Sequence, residues 1–218
     1  MDNQTSEVQE DSSSASYPDD LFFKEKKHFP CFPTSVFEFQ LENSELLNES
    51  FLKSVLEIPN PQKLPNWTST PTLQDREEFK FLKERILESC KQVLGFGSFQ
   101  YEKIRVTGLS SSVVNKPEKH TPGSSSNNFL SGIYCAKAGK GRIVFCDPRP
   151  QAWVIRPFTA QANLYNSDAF VMNLVEGKMV VFPSWLEYYF VFPEDMSENV
   201  YFAWNVMLSA SSNPRTTE

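Results

Sequence analysis

The chain has 218 residues and a formal net charge of −6, which disfavours a general nucleic-acid or anionic-membrane binder. Such a binder needs clustered Lys and Arg to neutralise phosphates. The chain contains nineteen Phe, seven Tyr and four Trp. This aromatic content is typical of a packed β architecture rather than of a disordered or coiled-coil chain.

The N-terminal segment differs in composition from the rest of the chain. Residues 1–22 contain six acidic residues, a Ser run and no Lys or Arg. Such a segment cannot bury enough apolar surface to offset the entropy lost on ordering. We therefore predict a disordered acidic tail and linker over residues 1–29, and a short flexible tail over residues 211–218.

A strand and two helices are predicted over residues 30–98, packing on the β-rich part that follows. Alternation of apolar and polar residues predicts the strand, and apolar stripes at helical spacing predict the helices. The strand spans residues 34–41, the first helix spans 46–58, and the second helix carries its apolar stripe from residue 79 to residue 94. Thr72 is the predicted N-cap region of the second helix, and Gly95 its end.

From residue 99 onward, short apolar runs alternate with turn residues. The predicted strands lie at 99–107, 129–137, 141–146, 151–157, 168–175, 178–183, 188–192 and 200–208. The polar stretch 115–128 and the Ser run at 110–112 are interpreted as loops. Strands at this spacing after two helices predict a mainly β fold with flanking helices. We expect a double-stranded β-helix (a jelly-roll, cupin-like fold) over residues 99–210, forming one domain with residues 30–98.

Several classes of catalytic site find no support in the sequence. The four cysteines form no CxxC pair and have no His spacing suited to zinc, so they are interpreted as reduced, small apolar residues. There is no phosphate-cradling glycine loop, no Gly-x-Ser-x-Gly elbow and no Cys/His pair for nucleophilic catalysis. No apolar run approaches the roughly 20 residues that cross a bilayer, and we expect an intracellular protein of the cytoplasm or nucleus.

A series of short motifs resembles, in its order, the motifs of a family of 2-oxoglutarate/Fe(II) oxygenases. The motifs are Phe32-Pro33-Thr34, Asn66-Trp67-Thr68-Ser69, Leu130-Ser131-Gly132-Ile133-Tyr134, Gly141 to Arg149, and Phe182-Pro183-Ser184-Trp185-Leu186. Each motif alone is weak, and their shared order carries the resemblance. It implies a double-stranded β-helix over roughly residues 32–208, with Fe(II) and 2-oxoglutarate as cofactors.

The sequence departs from that family at the positions that carry its chemistry. The family has an H-x-H-P pair before Leu-Ser-Gly, a histidine after the FPSWL corner, and an arginine on the last strand. These groups hold Fe(II) and pair with the far carboxylate of 2-oxoglutarate. Counting without gaps assigns the four positions, in chain order, to Gly123, Ser125, Tyr188 and Asn199. They are interpreted as a vestigial pocket without catalytic or metal-binding residues.

The remaining candidates for a metal site are few. The chain has two histidines, His28 in the basic linker and His120 in the polar loop. His120 is either an exposed loop residue or a displaced ligand that forms an atypical site with Asp147. Asp147 and Arg149 either line the vestigial pocket or make a local turn and ion pair.

The leading hypothesis from the sequence is a non-catalytic, oxygenase-like protein (a pseudoenzyme) that acts as a binding or assembly module and uses no cofactor. The alternative is an active Fe(II)/2-oxoglutarate dioxygenase with a site on His120 and Asp147. We expect a protein partner, and neither nucleic acid nor membrane. The candidate interface is Tyr188, Tyr189 and Phe190 at the mouth of the pocket, framed by residues 115–128. The competing interpretation is that these aromatic residues belong to the core.

Overall fold

The structure is a computed structural model that describes residues 27, 29, 31–60, 62–155 and 158–209. The chain divides into two compact units, Met1–Thr34 and Ser35–Glu218. All helices and strands of the described residues belong to the second unit. The predicted tails lie outside the described residues, apart from residues 27 and 29, and His28 lies outside them as well.

Two helices and nine strands form the second unit, within the described residues. The helices are α1 (Ser44–Leu56) and α2 (Lys80–Phe96). The strands are β1 (Phe37–Gln40), β2 (Asn66–Thr68), β3 (Lys103–Val114), β4 (Leu130–Lys137), β5 (Arg142–Cys146), β6 (Ala169–Asn173), β7 (Lys178–Pro183), β8 (Tyr188–Val191) and β9 (Asn199–Ser209). Neither helix combines the length and the apolar character that a bilayer crossing requires, within the part of the chain that is described.

The strands form two antiparallel sheets. The larger sheet has the order β1-β7-β4-β9-β3-β2, and the smaller sheet has the order β6-β5-β8. One buried cluster collects inward-facing side chains from both sheets. The predicted fold class, a double-stranded β-helix with flanking helices, is confirmed.

The helices cover one face of the larger sheet. Phe51 of α1 packs against Phe202 of β9, with ring centroids 5.7 Å apart, and Ile86 of α2 belongs to the same buried cluster. Along β9, Phe202 and Trp204 face the helices whereas Tyr201 faces the smaller sheet. Successive side chains of a strand point to opposite faces, so β9 contributes to both cores of the domain.

Trp204 explains the glycine of the Leu-Ser-Gly motif. Gly132 of β4 lies opposite Trp204 of β9, and a Cβ atom at residue 132 would collide with the indole ring. Glycine allows a ring to lie this close to a strand backbone. The motif residue that suggested family resemblance is therefore a packing requirement of the fold.

Some elements differ from the sequence-based predictions. Residues 150–153 form a 3-10 helix followed by bends at 154 and 155, so the strand predicted at 151–157 is wrong for its described residues. The Ser run at 110–112 lies within β3 and is not a loop. These serines form strand because β9 pairs with Ser110, Ser111 and Ser112 on one side, and β2 pairs with Ser112 on the other.

The start of the second helix also differs. Thr72 precedes a 3-10 turn at Leu73–Asp75 and makes no side-chain capping hydrogen bond. The α-helix itself begins at Lys80, after a second 3-10 turn at Glu77–Phe79. Leu73 and Phe79, one in each 3-10 turn, are both buried. Their burial holds the two short turns in place where the sequence predicted the start of one continuous helix.

Candidate functional site

The polar stretch 115–128 supplies an additional strand-like edge to the smaller sheet. Lys119 forms an isolated bridge with Val191, and Gly123 forms one with Tyr188. The Gly123 N–H donates to the Tyr188 carbonyl at 3.1 Å, and the Tyr188 N–H donates back at 3.0 Å. The Ser125 N–H donates to the carbonyl of Ser184 at 2.9 Å. The structure thus brings Gly123 and Ser125 against the corner that ends at Tyr188.

Tyr188 is half-buried among aromatic rings. Its ring centroid lies 4.9 Å from that of Phe182 and 5.8 Å from that of Phe190, both edge to face. Burial raises the pKa of the Tyr188 phenol above its ordinary value, because a phenolate loses its hydration in such surroundings. At neutral pH this position therefore carries a neutral phenol.

Aromatic side chains fill the space between the two sheets at this end. We call the set Phe145, Phe182, Tyr188, Phe190, Phe192 and Tyr201 the interior aromatic cluster. Phe190 and Tyr201 have ring centroids 4.4 Å apart, and Phe145 and Phe182 have centroids 4.9 Å apart. Such ring pairs add about 0.5–1.5 kcal/mol each beyond their buried area, so the cluster is a stabilising core.

A short polar network adjoins the corner. The Ser131 hydroxyl donates to Oδ1 of Asn205 at 2.7 Å, and the hydroxyls of Ser131 and Ser184 lie 2.8 Å apart. Because Ser131 has one hydroxyl proton, Ser184 is the donor to Ser131. Ser131 and Ser184 belong to two of the motifs that carry the family resemblance, and Asn205 lies on β9. The sequence did not single the three residues out as a network. Their polar groups satisfy one another, which indicates a structural role.

Asn199 lies at the first position of β9 and is fully buried. Its Oδ1 accepts hydrogen bonds from the N–H groups of Gly139 at 2.7 Å and Gly141 at 3.1 Å. Its Nδ2 donates to the carbonyls of Gly139 at 3.2 Å and Ser197 at 3.0 Å. The amide therefore ties the turn between β4 and β5 to the start of β9, and both of its donors are already used.

Asp147 and Arg149 make a local ion pair. Nε of Arg149 donates to Oδ1 of Asp147 at 2.9 Å, and a terminal nitrogen of Arg149 donates to Oδ2 at 2.8 Å. The Asp147 side chain is largely buried, whereas that of Arg149 is exposed. The hydrogen bonds and charge of Asp147 raise the pKa of the Arg149 guanidinium. The pair has the geometry of a bidentate salt bridge. This geometry is that of a local ion pair, one of the two interpretations of these residues from the sequence.

His120 packs on the interior aromatic cluster. Its ring centroid lies 5.7 Å from that of Phe190 and 5.6 Å from that of Phe192. Its Nε2 is buried, lies 4.0 Å from a carboxylate oxygen of Glu118, and makes no hydrogen bond within the described residues. His120 is thus a half-buried packing residue rather than an exposed loop residue.

The structure does not bring His120 and Asp147 together. Lys119 lies in the same row of the smaller sheet as Arg142, because both pair with Val191. His120 lies one residue beyond Lys119, and Asp147 lies five residues beyond Arg142. The two side chains are therefore about four residues apart along the strand direction, on the order of 13 Å. Direct ligands of one metal ion lie within about 2–2.6 Å of it. One ion cannot contact both side chains in this arrangement.

The mouth of the barrel exposes a different aromatic residue from those predicted. Trp185, in the FPSWL corner, has half of its surface exposed, whereas Phe190 is only 7% exposed. Tyr188 and Tyr189 are half-buried. Phe190 therefore belongs to the core, and the accessible aromatic surface at the corner consists of Trp185 with parts of the two tyrosines.

Three solved structures illustrate the similarity of this chain to known proteins. The epimerase SnoN from nogalamycin biosynthesis, described as non-heme and α-ketoglutarate dependent, superposes with a TM-score of 0.58 at 11% identity, covering 85% of this chain and 87% of that one. HygX from Streptomyces hygroscopicus, with nickel, 2-oxoglutarate and hygromycin B bound, gives a TM-score of 0.55 at 10% identity, covering 80% and 83%. The viral collagen prolyl hydroxylase of Paramecium Bursaria Chlorella virus-1 gives 0.52 at 10% identity, covering 88% and 99%.

These similarities establish the fold, which is that of the 2-oxoglutarate/Fe(II) oxygenases. No protein-family model matches the sequence. No curated protein sequence matches it either. At about 10% identity the similarity shows the fold alone, because one fold hosts many functions.

The residues at the four candidate positions do not fit an Fe(II) ion with 2-oxoglutarate. Gly123 has no side-chain donor, Tyr188 is a neutral phenol in an aromatic cluster, and the amide of Asn199 is committed to backbone groups. Ser125 offers only a hydroxyl, a weak ligand for iron. Among the described residues, no three His, Cys, Asp or Glu side chains converge in a way that could hold a metal ion.

Proposed function

We propose that this protein is a non-catalytic member of the double-stranded β-helix proteins, a binding or assembly module that uses neither Fe(II) nor 2-oxoglutarate. The observation that carries the proposal is the packing of Tyr188 against Phe182 and Phe190. The corner that presents a metal-binding histidine in the resembling family here contributes a ring to the core. Because a core tyrosine occupies the position of that metal ligand, we infer that the protein functions through its surface.

The environment of Asn199 also supports the part of the proposal that concerns 2-oxoglutarate, namely that the protein does not bind it. A dicarboxylate needs a cation or several free donors to replace its hydration. Asn199 is neutral, and both of its N–H donors already bind carbonyl groups. Arg149, the cation among the residues of the predicted pocket, is engaged by both oxygens of Asp147.

We expect purified protein with Fe(II), 2-oxoglutarate and air to form no succinate above a metal-free control. We also expect 2-oxoglutarate with Mn(II) to leave the melting temperature unchanged, because a ligand stabilises a protein only by binding its native state. Succinate release followed by chromatography and thermal unfolding measure the two outcomes.

The decisive comparison uses His120→Ala beside Lys119→Ala. His120 contacts the interior aromatic cluster, whereas its neighbour Lys119 is exposed. Sustained succinate formation that disappears in folded His120→Ala and persists in Lys119→Ala would establish the dioxygenase alternative. A rise in melting temperature with 2-oxoglutarate would contradict the proposal independently of turnover.

The binding role is proposed for the corner at the mouth of the barrel. Trp185 is exposed there beside the half-buried Tyr188 and Tyr189, and exposed aromatic residues often anchor protein interfaces. We propose a protein partner rather than nucleic acid or membrane, because the chain carries a net charge of −6 and its short basic run, Lys24 to Lys27, is small compared with a phosphate-binding footprint.

We expect Trp185→Ser to lose a protein that the wild type retains in affinity capture from a cell extract, with a drop of at least tenfold in the amount recovered. Phe96→Ser is the control, because Phe96 is also exposed but lies at the end of α2. If all three proteins recover the same set in equal amounts, the corner is not the interface.

A further inference from the structure

Strand β6 is an edge strand without the usual protection. It is the first strand of the smaller sheet and pairs only with β5 among the described strands. Its sequence, Ala169-Phe170-Val171-Met172-Asn173, contains no charge and no proline. Edge strands in monomeric proteins are usually short, charged, bulged or covered, because an open edge offers free N–H and C=O groups to another strand.

The other edges of the two sheets are protected in these ways. The edge strand β2 has three residues, and β1 carries Glu38, which pairs with Lys178 of β7. The far edge of β8 is covered at two points by the bridges from Lys119 and Gly123. Strand β6 is thus the exception within the described part of the fold.

The outward-facing backbone groups of β6 follow from its pairing with β5. The Asp147 N–H donates to the Asp168 carbonyl, and the Leu174 N–H donates to the Gly141 carbonyl. Even-numbered residues of β6 therefore direct their backbone groups toward β5, and odd-numbered residues direct theirs away from it. The N–H and C=O groups of Ala169, Val171 and Asn173 point to the open edge.

The side chains of β6 are suited to pairing with a second copy of the same strand. We propose that two copies of this chain associate through β6, antiparallel and around a two-fold axis at Val171. Val171 then faces Val171 of the second copy, and Phe170 faces Met172, a favourable sulfur–aromatic pair. Asp168 faces Leu174, so no like charges oppose each other. About six backbone hydrogen bonds would join the two strands.

The chain from Ile155 through β6 exposes an apolar area of the size that such a dimer needs. Six apolar residues of β6 and of the loop that leads into it are between 44% and 109% exposed: Ile155, Phe158, Leu164, Tyr165, Phe170 and Val171. Their exposed area is on the order of 800 Å², which is what one partner contributes to a standard interface. The association is independent of whether the protein catalyses a reaction, because β6 contains none of the candidate site residues.

The experiment is sedimentation equilibrium of the full chain and of two opposite charge variants, Val171→Lys and Val171→Glu. We expect the wild type to reach twice the 25.0 kDa of one chain. Each variant places like charges opposite each other at the axis and should raise the dissociation constant at least tenfold at low salt. An equimolar mixture of the two variants should recover the dimer, because a Lys then faces a Glu.

Val175→Lys is the matched control, since Val175 is a comparably exposed valine outside β6 and should leave the mass unchanged. A wild type that stays at 25.0 kDa at high concentration overturns the proposal. So does a mixture that fails to recover the dimer from folded variants. Amide hydrogen exchange of the wild type gives a second measure that needs no variant. Protection of residues 169, 171 and 173 should rise with protein concentration, and protection independent of concentration overturns the proposal.

Discussion

Raising the pH from about 9 to about 12 is expected to remove most of the folding stability of this protein. Burial raises the pKa of the Cys90 and Cys135 thiols from 9.0 to about 12, and burial raises that of the Tyr201 phenol from 10.0 to about 12. In the unfolded chain these groups lose their protons near their ordinary values. Between the two values the unfolded state binds fewer protons, so stability falls as the pH rises.

The expected loss is large because each pKa unit corresponds to about 1.4 kcal/mol. One thiol can therefore remove on the order of 4 kcal/mol by pH 12, compared with a typical total stability of about 5–15 kcal/mol. The full contribution is present below about pH 9. Urea unfolding between pH 7 and pH 11.5 measures the free energy of unfolding across this window.

Cys135→Ala separates the thiol from general alkaline effects. At pH 7 the variant should be less stable by about 1 kcal/mol, because a buried sulfur atom is lost. Near pH 11 it should be more stable than the wild type, so the two stability curves cross. Cys31→Ala is the control, since Cys31 is exposed. Parallel curves for the wild type and Cys135→Ala would show that this thiol does not govern the alkaline transition.

Replacing Asn199 by leucine is expected to destabilise the fold by about 3–5 kcal/mol. The substitution removes four hydrogen bonds and leaves the buried N–H groups of Gly139 and Gly141 without partners. Each buried polar group without a partner costs about 1–3 kcal/mol. Chemical unfolding at pH 7 measures the change, and circular dichroism checks that the variant retains its sheet content.

Asn48→Leu provides the matched control for this substitution. Asn48 is also a buried asparagine, but among the described residues its side chain makes one hydrogen bond, in which it accepts from the Tyr134 hydroxyl at 2.6 Å. We expect a loss of about 1–2 kcal/mol for this variant. A loss for Asn199→Leu no greater than for Asn48→Leu would mean that the turn between β4 and β5 does not depend on the Asn199 amide.

The fold could be predicted from the sequence because its signals are local. Short apolar runs bounded by turn residues place β4, β7 and β9 within one or two residues of their observed bounds, and the apolar stripe of α2 marks the face that is buried. Hydrophobic periodicity reports which face of an element meets the core, whatever the partner is. The absence of histidine from the motif positions could also be seen in the sequence, because the identity of a residue is known without the structure.

Long-range pairing was decided only in the tertiary structure. The polar stretch 115–128 has no strand pattern, yet Gly123 and Lys119 pair with β8. Their backbone groups fill an edge that the rest of the sheet leaves open. The Ser run at 110–112 is strand for the same reason, because β9 pairs with all three serines and β2 pairs with Ser112.

The character of the site also depended on contacts between distant residues. The sequence could not show that the Asn199 amide binds Gly139, sixty positions away, or that Tyr188 packs on Phe182. Nor could it show that Phe190 is core while Trp185 is exposed. Residue type and spacing determined which residues stand at the motif positions that the sequence comparison singled out. The packing of distant strands determined what fills that space, because burial and hydrogen bonding are properties of neighbours in space and not of neighbours in sequence.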